Sequence, residues 1–172
     1  MKQEELENYI YTYGKELYSF CCCVTRNCQE ADDLYQDTFL KMYEMADQLV
    51  IMTNPKSFLM GVALNLYRNY KRKLSIRQRI AGVSISMDEV AESIPFEGLE
   101  TEDMLISREE CQIVRMAVAK LPDKYRIPIL LYYMEEFSQA EIAAVMQISD
   151  SAVKTRIHRA KRILRERLEG ML

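Results

Sequence analysis

The stretch SQAEIAAVMQISDSAVKTRIHRAKRILRERL, residues 138–168, holds two apolar periodicities separated by a corner. Ser138-Gln139-Ala140-Glu141 is an S-x-x-E capping box, in which the serine and the glutamate satisfy each other's free backbone N–H groups and start a helix. That helix, residues 139–146, is apolar at Ile142, Ala143 and Met146. Gln147-Ile148 makes a turn, Ile148 plugs the corner, and Ser149 caps a second helix running from Asp150 to Leu168. Its inward positions are Val153, Ile157, Ala160 and Leu164, spaced by four, three and four. Ser151, Lys154, Thr155, His158, Arg159, Arg162 and Arg165 take the opposite side. This is a helix-turn-helix layout, whose second helix can enter a major groove, read base edges with its first turns and hold phosphates with later cations. A solvated basic face is the plainer alternative, and the segment alone leaves both open.

The basic end stands in an acidic chain. The formal charge of the 172 residues is -3, yet it is distributed in blocks. Residues 1–52 carry ten acids and four bases; residues 53–80 carry seven bases and no acid. Residues 81–111 carry nine acids and one base, and residues 150–172 carry seven bases and three acids. Nucleic-acid binding depends on such local fields rather than on the total, so the net charge does not exclude it. Apolar residues at 49% and charged residues at 28% describe a globular chain, and few Gly and Pro with eleven Met favour helix. No apolar run approaches the ~20 residues of a membrane span, so no membrane insertion is expected. The N-terminus lacks a signal-peptide pattern, which predicts a cytoplasmic protein.

Upstream, the apolar spacing predicts a helix over residues 4–26, through Leu6, Tyr9, Ile10, Tyr13, Leu17, Phe20 and Cys21. Asn27 is placed to cap a second helix, 28–48, with Ala31, Leu34, Tyr35, Thr38, Phe39, Met42 and Met45 on its buried side. Asp32, Asp33 and Asp37 lie beside that stripe and suit a polar docking surface. Thr53-Asn54-Pro55 starts a third helix, which should run to about Leu74 with Phe58, Leu59, Val62, Ala63, Leu66 and Tyr70 buried. Its basic half interleaves Tyr67 and Tyr70 with Asn65, Arg68, Asn69, Lys71 and Arg72. Cations beside amides and aromatics suit unpaired DNA, although a solvated helix end would look similar. Residues 75–105 lose the pattern and read as an acidic linker. A helix then restarts near Glu102, and Leu121-Pro122-Asp123 turns the chain into another, 124–134, where Pro128 should kink the helix or shift its start.

Catalytic patterns are missing from the sequence: it has no Gly-rich phosphate loop, no HExxH and a single histidine. The chain is therefore expected not to be an enzyme and to need no cofactor. Cys21, Cys22, Cys23 and Cys28 contain no CxxC pair, and consecutive helical residues point in different directions. They read as small, buried free thiols rather than as a metal site.

Four motifs in order carry a resemblance. Ala31-Asp32-Asp33-Leu34-Tyr35-Gln36-Asp37-Thr38-Phe39 resembles the A-E-D-L-x-Q-[ED]-x-F signature of sigma-70 family RNA polymerase sigma factors, with the extracytoplasmic-function (ECF) group fitting best. Lys56-Ser57-Phe58-Leu59 through Asn65-Leu66 to Tyr70-x-Arg72 resembles that family's promoter-melting helix. Leu121-Pro122-x-x-Tyr125-Arg126 resembles the opening of its C-terminal domain. Val153-Lys154-Thr155-Arg156-Ile157-His158-Arg159-Ala160-Lys161 resembles its recognition helix. The chain departs from the family pattern at Phe58 for Trp, Asn69 for Asp, Thr155 for Ser and Gln147 for the turn Gly. At Gln147 the backbone must avoid positive φ or bear strain.

The resemblance implies an all-α fold of two small helical domains joined by a flexible acidic linker, the C-terminal domain containing the helix-turn-helix. Residues 1–76 would dock on core RNA polymerase through Asp33, Leu34, Gln36, Asp37 and Leu40. The same domain would hold the opened -10 element through Asn65, Arg68, Asn69, Lys71 and Arg72. Residues 77–103 would form the linker. Residues 104–172 would read the duplex -35 element through Ser151, Lys154, Thr155, Arg156, His158, Arg159 and Arg162. Core polymerase, promoter DNA and an anti-sigma factor are the implied partners. The free chain is expected either to fold its two DNA-reading surfaces together and mask them, or to have them masked by an anti-sigma partner. The rival readings are a helix-turn-helix repressor or activator that works without polymerase, and a helical adaptor that binds only protein. The repressor leaves ADDLYQDTF and the second basic island unexplained.

Overall fold

The computed structural model describes residues 3–45, 54–82 and 105–171, and among them every regular element is a helix. The elements are α1 (Gln3–Thr25), α2 (Cys28–Glu44), α3 (Pro55–Ala81), α4 (Leu105–Ala119), α5 (Asp123–Tyr133), α6 (Gln139–Met146) and α7 (Asp150–Glu169). The expected acidic stretch beyond Gly82, the restart near Glu102 and the last turn of the 28–48 helix lie outside the described residues.

The starts of these helices follow their capping residues. The Asn27 side chain accepts from the Glu30 N–H at 3.0 Å, and Asn54 accepts from the Ser57 N–H at 3.1 Å ahead of Pro55. Each such cap is worth about 1 kcal/mol. One end differs from expectation: α3 does not stop near Leu74 but continues to Ala81. Nothing between Leu74 and Ala81 breaks a helix, and the stop comes at Gly82, which adopts φ 67°, a conformation easy only for glycine. The apolar stripe ends earlier because the last turns project beyond the core, leaving Ile76 and Ile80 exposed. Pro128 neither delays nor ends α5, which begins at Asp123 and runs through it.

In the N-terminal half, α1, α2 and α3 pack mutually. Leu17, Phe20, Cys21 and Val24 of α1 meet Ala31, Leu34, Phe39 and Met42 of α2 and Leu59, Met60, Ala63 and Leu64 of α3. Fully burying one of the Leu, Phe, Val or Met side chains contributes roughly 1.5–3 kcal/mol. Tyr67 is buried and Tyr70 is half-exposed, the reverse of the emphasis that periodicity alone placed on Tyr70. In the C-terminal half, Leu121, Ile127, Leu131, Ile142, Met146, Val153, Ile157 and Ala160 form the core beneath α6 and α7. These cysteines are free thiols; the expected burial holds for Cys21 and Cys22 and partly for Cys23, but not for Cys28, which is exposed at the start of α2. Burial pushes the Cys23 thiol up to about 11, which disfavours a reactive thiolate.

The halves are not merely tethered. α3 packs on α6 and α1 on α5, and the buried residues run into one continuous cluster. Polar contacts stitch the seam. Arg26 donates to the Ala119 carbonyl at 2.9 Å, Asn54 to Glu141 at 3.0 Å and Arg68 to the Met146 carbonyl at 3.2 Å. Lys56 sits 3.0 Å from Glu16 and 3.1 Å from the buried Glu135.

Candidate nucleic-acid interface

The helix-turn-helix forms as the local sequence dictates. Ser138 and Glu141 make the reciprocal capping box, and Ser149 accepts from the Ala152 N–H at 3.1 Å. Gln147 sits at φ 56°, ψ 45°, so the corner keeps its left-handed geometry although no glycine relieves it. The Ile148 N–H reaches back to the Ala143 carbonyl at 3.1 Å, and its side chain is half-buried in the corner. With Val153, Ile157 and Ala160 buried, Ser151, Lys154, Thr155, His158, Arg159 and Arg162 are all exposed on the far side of α7. Arg159 donates to the Tyr125 hydroxyl at 3.4 Å, a weak contact that leaves most of its donors available. The Thr155 hydroxyl donates to the Ser151 carbonyl at 2.9 Å, so toward solvent it offers acceptor lone pairs and a methyl group. Lys161 is drawn off this face over the rings of Tyr132 and Tyr133, at 5.5 and 5.3 Å.

Arg156 stands apart from its neighbours in the expected set. It lies half-buried on the flank of α7 that faces α3, close enough for its charge, after burial, to depress the pKa of Arg68. The five α3 positions also divide. Asn65, Asn69 and Arg72 are exposed, with Arg72 donating to the Asn69 side chain at 3.3 Å. Arg68 and Lys71 are half-buried and tied to the C-terminal half.

The tie centres on Asp123. Its carboxylate lies 2.7 Å from Arg126 and 3.0 Å from Lys71, and it accepts from the Tyr67 hydroxyl at 2.9 Å. Arg126 is 1% exposed and also donates to the carbonyls of Leu121 at 2.9 Å and Val24 at 2.8 Å. Burial opposes ionisation of Asp123, but the Arg126 charge and the hydrogen bonds from Lys71 and Tyr67 outweigh it and hold the carboxyl below its ordinary value. Burial, then the Asp123 charge, raises the Tyr67 phenol. This cluster escaped the reading of charge blocks. Its trace in the sequence is a lone cation, Arg126, inside the apolar run Tyr125–Tyr133.

On α2, Asp33, Gln36, Asp37 and Leu40 share one exposed face, with Leu40 59% exposed. Leu34 is buried and shapes that face from beneath. Tyr43, half-exposed one turn beyond Leu40, extends the apolar part and was not among the expected residues. Asp32 accepts from the Tyr18 hydroxyl at 2.9 Å.

The geometry defines a helical protein with an outward cationic face on α7 and an exposed acidic-apolar face on α2. Residues 10–76 match the family description Sigma-70 region 2, and residues 111–164 match Sigma-70, region 4. The chain is 30% identical to the ECF RNA polymerase sigma factor SigW of Bacillus subtilis (strain 168), over 98% of this chain and 91% of that one. It is 25% identical to SigX of the same organism, over 96% and 85%. Its fold matches the sigma factor RpoE, solved with the anti-sigma factor NepR from Bartonella quintana. The TM-score is 0.76 at 23% identity, covering 96% of this chain and 98% of that one. It also matches CnrH, solved with the cytosolic domain of CnrY, at a TM-score of 0.67 and 22% identity, covering 98% and 90%. The chain belongs to the sigma-70 family, in its ECF group. No described helix is long and apolar enough to cross a membrane.

Proposed function

We propose that this sigma factor brings core RNA polymerase to one class of promoters and helps to open them, the polymerase itself performing the chemistry in the cytoplasm. Residues 104–172 read the -35 duplex, with Lys154, Thr155, His158 and Arg159 reaching base edges and Ser151 and Arg162 holding the flanks. The exposed face Asp33, Gln36, Asp37 and Leu40, with Tyr43, docks on polymerase, and Leu34 supports it from below. Asn65, Asn69 and Arg72 meet the opened -10 strand first. Arg68 and Lys71 join them once the C-terminal half moves away, and Arg156 is freed by the same movement. Restraint in the free chain is therefore partial: the -35 face apart from Arg156 stands open, while Arg68 and Lys71 of the -10 set are engaged. An anti-sigma factor, as NepR is for RpoE, completes the restraint.

The observation that carries this reading is the presence in one chain of the exposed α7 face and the exposed α2 face. A repressor that binds duplex alone has no use for the second. Run-off transcription with core polymerase over a genomic promoter library tests it. Factor-dependent transcripts are expected, and Arg159→Ala should remove them while the folded content stays intact. Tight, specific duplex binding without any polymerase-dependent transcript would favour the repressor instead.

A further inference from the structure

Between α3 and the C-terminal half lies a cleft of about 280 Å³. Four cations line it, Arg68 and Lys71 from one wall and Lys124 and Arg156 from the other, against the single carboxylate Asp123. That carboxylate is already shared among Lys71, Arg126 and the Tyr67 hydroxyl. Lys124 lies over the Tyr125 ring at 4.9 Å, and Arg68 is held by a neutral carbonyl. Among the described residues, no ion pair joins Arg68, Lys124 or Arg156 to a carboxylate. Like charges from the two halves thus face each other across the seam, in a site partly screened from water. The burial of Arg68 and the nearby Arg156 charge both disfavour its charged state, which is the signature of a cation waiting for a counter-charge.

We propose that this cleft binds a compact polyphosphate anion, which bridges Arg68 and Arg156 and clamps the two halves together. Guanidinium groups match phosphate oxygens bidentately, and Lys71 and Lys124 add point charges from either wall. The volume is at the small end for a ligand site, which suits a short phosphate chain rather than a whole nucleotide. Because the site needs both walls, the anion binds only the closed arrangement and stabilises it by mass action. It also engages three of the cations proposed for DNA, Arg68, Lys71 and Arg156. A pool of phosphate anions therefore opposes release of the -10 surface. The site belongs to the free chain and stands independently of any polymerase.

Isothermal titration of the full chain with sodium tripolyphosphate, at constant ionic strength, tests the site. One saturable site per chain is expected, with a thermal midpoint that rises as the anion is added. Arg156→Ala and Arg68→Ala should each weaken the affinity at least about tenfold, the loss of one bidentate charge-assisted pair. Arg165→Ala removes an exposed cation outside the cleft and should bind as the parent does. Arg156→Lys keeps the charge and should retain part of the affinity, which separates a lost contact from a damaged fold. A parallel titration with ATP distinguishes the sources. Equal affinity identifies the phosphate chain as the ligand, and tighter binding adds contacts at the mouth; both keep the proposal. Several equivalent sites, equal weakening by Arg165→Ala, or no binding beyond that of matched chloride would overturn it.

Discussion

Asp123→Asn tests whether one carboxylate holds the seam. The substitution keeps shape and removes charge from a group lying 2.7 Å from Arg126 and 3.0 Å from Lys71. Stripping one partner from a buried ion pair costs about 3–5 kcal/mol. Two features reduce that figure here. Asp123 is 30% exposed, and Arg126 keeps the carbonyls of Leu121 and Val24. A loss of about 2–3 kcal/mol is therefore expected, the partly exposed Lys71 pair included. For a chain of this size, at roughly 2–4 °C per kcal/mol, the melting midpoint should fall by about 4–12 °C. The pH dependence identifies the cause. A carboxyl held below its unfolded value contributes stability that is fully present above that value and is lost as pH falls through the folded one. The gap between parent and Asp123→Asn should thus be constant near neutrality and close in strong acid. Circular-dichroism melts across that range supply the measurement. A midpoint change under about 2 °C, or a gap that persists in strong acid, would refute the charge-based account of the seam.

Glu135 has the opposite sign. Burial raises its carboxyl despite the opposing contact with Lys56. The folded state therefore holds the proton more tightly, and stability falls as pH rises through the raised value. Glu135→Gln should leave stability at neutral pH unchanged or raise it by up to about 1 kcal/mol, because Lys56 keeps Glu16. The parent should gain on the variant in mild acid, as urea titrations at the two pH values would show; a large loss at neutral pH would contradict this. Gln147→Gly should stabilise the corner by about 0.5 kcal/mol, relief of the left-handed backbone exceeding the added freedom of the unfolded chain. The urea midpoint should rise with an unchanged slope, and a fall would show that the Gln147 side chain matters more than its backbone.

The helix-turn-helix was legible because its determinants are local. A capping box, a two-residue corner and a four-three-four apolar spacing act within a few turns, and the backbone follows them even where Gln147 replaces the favourable residue. What one chain's periodicity does not show is which partner a side chain meets. On α3, Phe58, Leu66 and Tyr70 continue an apolar line, yet Tyr67 is the tyrosine that goes under, because Asp123 from the other half receives its hydroxyl. The same limit applies to the basic islands. Counting charges gives each island its size but not its allocation, and the seam divides both: Asn65, Asn69 and Arg72 look outward while Arg68 and Lys71 look inward, and Arg156 turns from the face that Arg159 occupies. Since the salt dependence of DNA binding counts only cations free to replace counterions, the closed chain must show a shallower slope than its composition implies. On the proposed opening, the slope of the factor's own contacts should steepen by about one unit for each seam cation released.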